Sequence, residues 1–537
     1  MQRILIPLFF VFTLYSKAQI QAQLYVDGKL YDEIQFADSL KLANHVNKLH
    51  ISWINQGYYF VGIDSVMTNE ILTDVYLHKG EKFRAKLSSF TGKKLQFYLS
   101  QQLKFHANGG FPFASVQLDS IDLEDEFITG KLLIETGPEI RYDSSYFFTE
   151  LNTNHSYIYQ LLDIVPGDPF SERDYRFIAQ KVERSSFLSL QRPTDLSFKD
   201  NKAKAFLDIK EETSNTFQGV VGLQQVQNGK TTAVGTLELD IQNLFRSGKQ
   251  FKFSWERFAV ESQNLSVFYK HPFFLASKVS PSFSLDLLKQ DTTFLTRKTG
   301  LGIHSFITSR VEIFLEYEAI NGTLLTTDIQ SISESDLADF KRKMYIVQLS
   351  KGHLSSLGRL RKGMVWNVSA SGGRKIIQQN LSLPDSYYDT IQSQTNFYQF
   401  EGSIAYQLKL LKRQSFFHQI KGGTLQNDEL LVNELYRLGG LSSLRGFNEK
   451  EIFAKSYILS RTEFRSFFEN RSYAYIFYDH LFSSRESQSD QPFGVGLGFA
   501  LATSAGQFSF ALAMGKSDVQ QISFSTMKAH FGYISRF

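Results

Sequence analysis

Three charged side chains recur at alternate positions in one short segment, Arg461, Glu463 and Arg465. On an extended backbone successive side chains point to opposite faces, so these three share one face while Ile458, Ser460, Thr462 and Phe464 take the other. Asp479 closes the segment Phe477-Tyr478-Asp479, and Arg445 lies in Gly439-Gly440-Leu441-Ser442-Ser443-Leu444-Arg445-Gly446-Phe447. A guanidinium set against carboxylates makes a planar fork that lysine could not reproduce. Residues of these types could make a charge clamp. Motifs for catalysis fail on inspection. Ser442 lacks the second glycine of a nucleophile elbow. Asn228-Gly229-Lys230-Thr231 ends like a phosphate loop, but Gln224 stands where that loop needs glycine, which leaves a hairpin. The 11 His are scattered, and the absence of Cys excludes thiolate zinc sites, thiol catalysis, disulfides and a lipid-modified amino-terminal Cys. The chain is expected to be no enzyme and to use no metal or cofactor.

Composition indicates which elements carry those charges. The 537 residues are 42% hydrophobic and 21% charged, and 58 basic residues against 54 acidic ones leave a net charge of +4. That balance excludes a nucleic-acid binder read from charge. Fifty Phe, 25 Tyr and 3 Trp make 15% of the chain aromatic, about twice a soluble domain's usage. A mean hydropathy of -0.22 excludes a bundle of membrane helices. Arg3, the apolar run from Ile4 to Tyr15 and the small-x-small Ser16-Lys17-Ala18 read as a secretory signal over residues 1–18. The run is too short for a spanning helix, which needs roughly 20 residues. No later apolar run approaches that length, so an exported chain of this composition is either soluble or embedded as strands.

From about Thr216 onward the pattern is alternating, with examples at Lys249 to Phe258, Val311 to Tyr317, Tyr398 to Leu408 and Tyr457 to Phe467. Segments of about 9 to 11 residues suit tilted membrane strands. Residues 214–537 at about 20 per strand and connection give on the order of sixteen strands. Turns such as Arg246-Ser247-Gly248-Lys249 alternate with longer polar connections near Asn321 to Asp339, Gly373 to Thr395, Leu425 to Phe453 and Ser483 to Gln491. A propeller or stacked sandwiches would repeat at a fixed period, and none is visible. The last segment puts Phe531, Tyr533 and Phe537 on one parity and Lys528, His530 and Arg536 on the other, one face for lipid and one for a polar lumen. A charge on the lipid face costs several kcal/mol, so Glu463 and Asp479 must face the lumen.

The amino-terminal part repeats itself. Gly57-Tyr58-Tyr59-Phe60 before Ile63-Asp64-Ser65-Val66 parallels Gly110-Phe111-Pro112-Phe113 before Leu118-Asp119-Ser120-Ile121. Each follows a helical stretch, Ser39 to Asn55 and Lys93 to His106, and each unit ends on a glycine turn at Gly80 or Gly137. A third unit runs from Ile140 through a helix at Glu172 to Phe187 to strands up to Lys210. These are two to three small α/β modules, at 19–80 (possibly an incomplete one), 81–137 and 138–213.

A signal segment, tandem small modules of order β-α-α-β-β and a terminal barrel together resemble the outer-membrane β-barrel assembly factor superfamily, the bacterial surface antigen proteins, whose modules are termed POTRA domains. The stretch Leu444-Arg445-Gly446-Phe447 is similar to the motif on that family's long sixth outer loop, which folds back into the barrel. Arg461-Thr462-Glu463-Phe464-Arg465 and Phe477-Tyr478-Asp479 are similar to the strands that follow. The family continues x-Gly after the Asp, where this chain has His480-Leu481. The resemblance implies a lumenal lock of Arg445 with Asp479 and Glu463, with Gly446 permitting close approach and Phe447 wedged alongside. It implies a sorting signal at Phe531, Tyr533 and Phe537. It further implies an outer-membrane barrel with periplasmic modules, working on unfolded outer-membrane or secreted polypeptide clients as an assembly or translocation factor. Gly219, Gly222 and Gly532 would weaken the seam between first and last strands, or else accommodate the curvature of the barrel. A secretion pore for one exoprotein and a passive channel or surface antigen are the alternatives. Accessory periplasmic or lipoprotein subunits stay open, and a monomeric barrel is the default.

Overall fold

A computed structural model of the chain describes residues 20–69, 72–87, 89–92, 94–225, 231–326, 337–352, 363–381, 383–389, 391–441, 443–469, 471–485, 488–503 and 506–536. The expected signal at 1–18, Asn228 to Lys230, Ser442 and Phe537 lie outside the described residues. The chain divides into two compact units. One holds the residues up to Ser144 with Pro166–Arg176 and Leu196–Ala205, and the other holds Ser145–Val165, Phe177–Asp195 and Phe206–Phe537.

The first unit contains two four-stranded sheets, each with its own helix. The chain order of the first is Ile20–Val26, Lys29–Phe36, helix Ser39–Gln56, Gly62–Thr68 and Leu72–His78. The second repeats it with Arg84–Leu87, Phe90–Gly92, helix Leu95–Asn108, Ser115–Glu124 and Phe127–Glu135. A parallel pair forms the centre of each sheet. The β-α-α-β-β order expected from the resemblance is corrected here to β-β-α-β-β. The cause in the first module is the Asp27-Gly28 turn, with φ of 50° and 77°, a hairpin signal that folds Lys29–Phe36 back as a strand. Leu42, Val46 and Trp53 of the helix bury against Ala22, Leu24, Val75 and Leu77 of the sheet. Asp38 caps that helix by accepting from Lys41 N at 2.8 Å. The internal repeat is a backbone repeat. Gly80 and Gly137 share a φ of 66° and 68°, and a Cβ there would meet the Phe60 Cβ at 3.6 Å and the Phe113 Cβ at 3.7 Å.

Sixteen antiparallel strands close the barrel in the second unit. Thr216–Gly222 of the first runs against His530–Arg536 of the last, with Gly219 opposite Tyr533, Val220 opposite Gly532 and Gly222 opposite His530. In the thirteenth strand, Tyr473–Arg485, Ile476, Tyr478 and Phe482 are exposed while Phe477, Asp479 and Leu481 are buried. The outward row of Ile303, Tyr345, Val347, Val368, Phe400, Ile458 and Leu497 is likewise exposed. A closed wall with apolar side chains outside and charges inside spans a membrane by strands. No helix among the described residues is long and apolar enough to cross one.

Strands run further than expected: the ninth and tenth, Gly363–Gln378 and Gln394–Lys409, are 16 residues each. Ladder pairing continues beyond the hydrocarbon layer, so the long connections begin after Leu324, Gln378, Gln426 and Arg485, several residues later than the sequence pattern placed three of them. The short connections carry the remainder of the 138–213 segment. Asn154 N donates to Arg246 O at 2.8 Å, Arg184 Nε to Ser309 O at 2.9 Å, and Asp163 pairs with Lys278 at 2.8 Å. Well over half of the expected third module belongs to the barrel unit, and its single helix from Glu172 is instead two short pieces, Glu172–Arg176 and Ile178–Val182.

Candidate functional site

Residues 427–455 join the eleventh strand, Gln414–Gln426, to the twelfth, Ser456–Phe467. They turn inward instead of extending away. Tyr436–Leu438 pairs antiparallel with Ile452–Ala454, and this hairpin carries a tip that contains Arg445. The tip is tied to itself: Gly439 N donates to Ser443 Oγ at 2.7 Å, and Leu441 N to Glu449 Oε1 at 2.7 Å. Leu444 and Phe447 pack with Leu438, Ala454, Tyr457, Leu459 and Leu481, so the tip has an apolar core shared with the wall.

Arg445 is 1% exposed, and it makes the clamp. Its Nε donates to Asp479 Oδ2 at 2.6 Å and its Nη2 to Asp479 Oδ1 at 2.6 Å, while Nη1 donates to Glu463 Oε1 at 2.7 Å. Its backbone N also donates to Asp479 Oδ2 at 3.3 Å. The guanidinium lies 3.7 Å over the Phe477 ring. Strand parity produces this arrangement, because Asp479 and Phe477 share the inward face and stand opposite Arg461 and Glu463 in the register. Arg465 steadies Glu463 from the far side, with Nε 2.8 Å from Oε2, and donates Nη1 to Gln407 Oε1 at 2.8 Å. Two carboxylates and three guanidiniums thus form one buried network, with Arg461 Nε 3.8 Å from Asp479. A bidentate charge pair shielded from water is far stronger than an exposed one.

Gly446 has a φ of 94°, and a Cβ there would sit 2.7 Å from Met514 C and from Gly515 N. The chain reaches the wall at this point because a side chain is missing. Gly494 and Gly515 do the same from the wall, since a Cβ on Gly494 would strike Arg445 O and one on Gly515 would lie 2.6 Å from Gly446 O. Gln520 Nε2 bridges Gly446 O and Gly515 O at 3.1 and 3.0 Å.

The structure brings together Leu444, Arg445, Gly446, Glu463 and Asp479. Phe447 packs in the apolar tip with Leu444, Leu459 and Leu481, next in sequence or on the same strands as the clamp residues, and the aromatic ring over the guanidinium is Phe477. Leu481, where the family pattern has glycine, fills that same apolar core. Phe531 is exposed on the outer face, and Tyr533 packs against Phe508 at 4.7 Å, both away from the clamp. Sequence reasoning missed Gln407, Gly494 and Gly515; the two wall glycines carry a signal only in being inward positions opposite a loop that threads the lumen.

No family model matches the sequence, and no curated protein matches it. Solved structures do. CdiB from Acinetobacter baumannii aligns over 98% of this chain and 91% of its own with a TM-score of 0.55 at 12% identity. CdiB from Escherichia coli aligns over 99% and 93% with a TM-score of 0.54 at 14% identity. The chain has the fold of the CdiB structures. A BamA structure from Haemophilus ducreyi that lacks POTRA domains 1-3 aligns over 83% of this chain and 94% of its own, with a TM-score of 0.45 and 13% identity. At these identities the likeness is one of fold, a closed β-barrel preceded by small α/β modules.

Proposed function

We propose that this chain handles polypeptides at the outer membrane, inserting barrel proteins or moving a polypeptide across. One observation carries this reading: the lumen is occupied by a loop of the chain itself, clamped at mid-strand through Arg445. A passive diffusion channel has no use for a lumen crossed by a buried charge network, whereas a factor that must open for a client and reseal afterwards needs a removable, specifically seated element. In this reading the small modules lie in the periplasm and offer sheet edges such as Ser115–Glu124 to extended clients by strand addition. The seam between first and last strands is the place to part in this reading, since Gly219 and Gly532 take side-chain packing out of its ladder. The chain acts without catalysis, through binding and rearrangement. Depleting it and comparing the outer-membrane proteome tests the proposal. Broad loss of barrel proteins indicates assembly, and loss of one secreted product indicates a dedicated pore. An unchanged proteome with altered solute uptake overturns the proposal in favour of a channel.

A further inference from the structure

Besides the Arg445 clamp, the described part of the loop carries a buried charge site of the opposite sign. Glu434 sits in the stem of the loop, in the short turn Val432–Glu434, near the rim from which the loop descends. Its carboxylate is wholly buried. Oε1 lies 3.2 Å from Arg342 Nη1, and Oε2 lies 2.5 Å from Lys375 Nζ. Arg342 belongs to the eighth strand, Asp339–Lys351, and Lys375 to the ninth. They stand directly opposite each other in the register, and they are 5% and 0% exposed. Like charges facing across a ladder repel, and burial makes an unpaired cation costly. Within the wall Glu318 of the neighbouring strand attracts Arg342, and the loop stem brings the carboxylate that bonds both cations. Supporting bonds pin the same stem: Asn433 Nδ2 donates to Ala338 O at 3.2 Å, Lys375 Nζ donates to Glu429 O, and Leu431 packs with Ile320, Ala338, Phe340 and Ile377.

We infer that Glu434 is a second anchor of the loop, a positioning residue that seats the stem at the rim independently of the Arg445 clamp. The two anchors share no residue and use different strands, the eighth and ninth against the twelfth and thirteenth. Their polarity is complementary. The loop gives a carboxylate to a basic wall at the rim and a guanidinium to an acidic wall at mid-strand, so neither end can dock in the other's place. Clearing the lumen then requires both to release, and release of one leaves the other end seated.

The test uses the full chain, which has no Cys, with one reporter thiol at a time. Ala338→Cys reports on the rim, since Ala338 is 0% exposed beneath Asn433, and Leu444→Cys reports on the tip, also 0% exposed. A membrane-impermeant maleimide is added to outer-membrane vesicles, and labelling rates are compared. Glu434→Gln is expected to speed labelling at 338 on the order of 10²-fold, the scale of a broken buried pair, and to leave 444 protected within threefold or so of the parent. Arg445→Ala is expected to give the reverse. Should Glu434→Gln fail to give the heat-modifiable folded barrel, Glu434→Gln with Lys375→Met removes one of the stranded cations and is read in the same way. Protection at 338 that survives loss of Glu434 overturns the inference, and so does equal exposure of both reporters in either variant. Because the readout is thiol labelling rather than client handling, this inference and the proposed function fail separately.

Discussion

Replacing Arg445 with alanine removes the donors Nε, Nη1 and Nη2 but leaves both carboxylates where they are. The two acids are not equally harmed. Glu463 keeps Arg465, with Nε at 2.8 Å and Nη2 at 2.7 Å. Asp479, 0% exposed, keeps only Arg461 at 3.8 Å and the backbone N of residue 445 at 3.3 Å. The cost therefore comes from an orphaned Asp479, about 3 to 5 kcal/mol for one side of a buried pair. At about 1.4 kcal/mol per tenfold, the unseated loop should become roughly 10² to 4 × 10³ times more populated. The assay is maleimide labelling of Leu444→Cys, whose rate follows that population. The barrel is expected to insert and to keep its heat-modifiable mobility, while client handling is largely lost. Arg445→Lys should resemble alanine, because one ammonium cannot present three coplanar N–H donors to two carboxylates. Arg445→Met combined with Asp479→Leu should recover at least about tenfold of the protection, since the orphaned carboxylate is removed with its partner. A labelling change below about fivefold in Arg445→Ala, the worth of a solvent-exposed pair, would refute the clamp. So would a double variant that labels faster than the single one.

Gly446→Ala is expected to raise labelling at residue 444 by tenfold or more, about 1.4 kcal/mol, because the added Cβ meets Met514 and Gly515 backbone at 2.7 Å. Gly402→Ala, whose Cβ would find nothing nearer than 3.7 Å, should leave the rate unchanged, and parity between the two would refute the close-approach argument. At Asp163, burial pushes the carboxyl up, but hydrogen bonds and charge from Lys181 and Lys278 outweigh it and hold the group below its ordinary value. A depressed carboxyl adds stability above the unfolded value of about 3.9, and loses it as pH falls through the folded value. Asp163→Asn should therefore speed amide exchange of the helix His155–Leu162 at pH 7, by about 1 to 3 kcal/mol, with the difference narrowing below about pH 4; a difference independent of pH counts against the pair. A fragment of residues 20–144 should melt cooperatively, since both its cores lie within it. Extending it to Glu212 should leave the His155–Leu162 helix unprotected in exchange, because Arg246 and Lys278 are absent; full protection there would show that the third module folds without the barrel.

Alternation by itself determined the membrane-spanning barrel, because a strand places every second residue on one face and a bilayer tolerates only apolar ones outside. The same parity put Glu463 and Asp479 inside, and the motif around Arg445 supplied their partner by resemblance. The glycine repeat at Gly80 and Gly137 was legible for a similar local reason, a backbone conformation that favours glycine. What lay beyond the sequence depended on which strands become neighbours. The Asp27-Gly28 hairpin was a local signal that could have been read, but the division of the 138–213 segment could not, since it follows from bonds to turns more than a hundred residues away, such as Arg184 with Ser309. That Phe477 lies over the guanidinium was hidden for the same reason, as the ring that reaches it is chosen by the register between the twelfth and thirteenth strands. Glu434 looked like any loop acid. Its meaning came only when the eighth and ninth strands set Arg342 against Lys375, because charge pairing depends on distance through space, and distance along the chain says nothing about which wall a folded loop will meet.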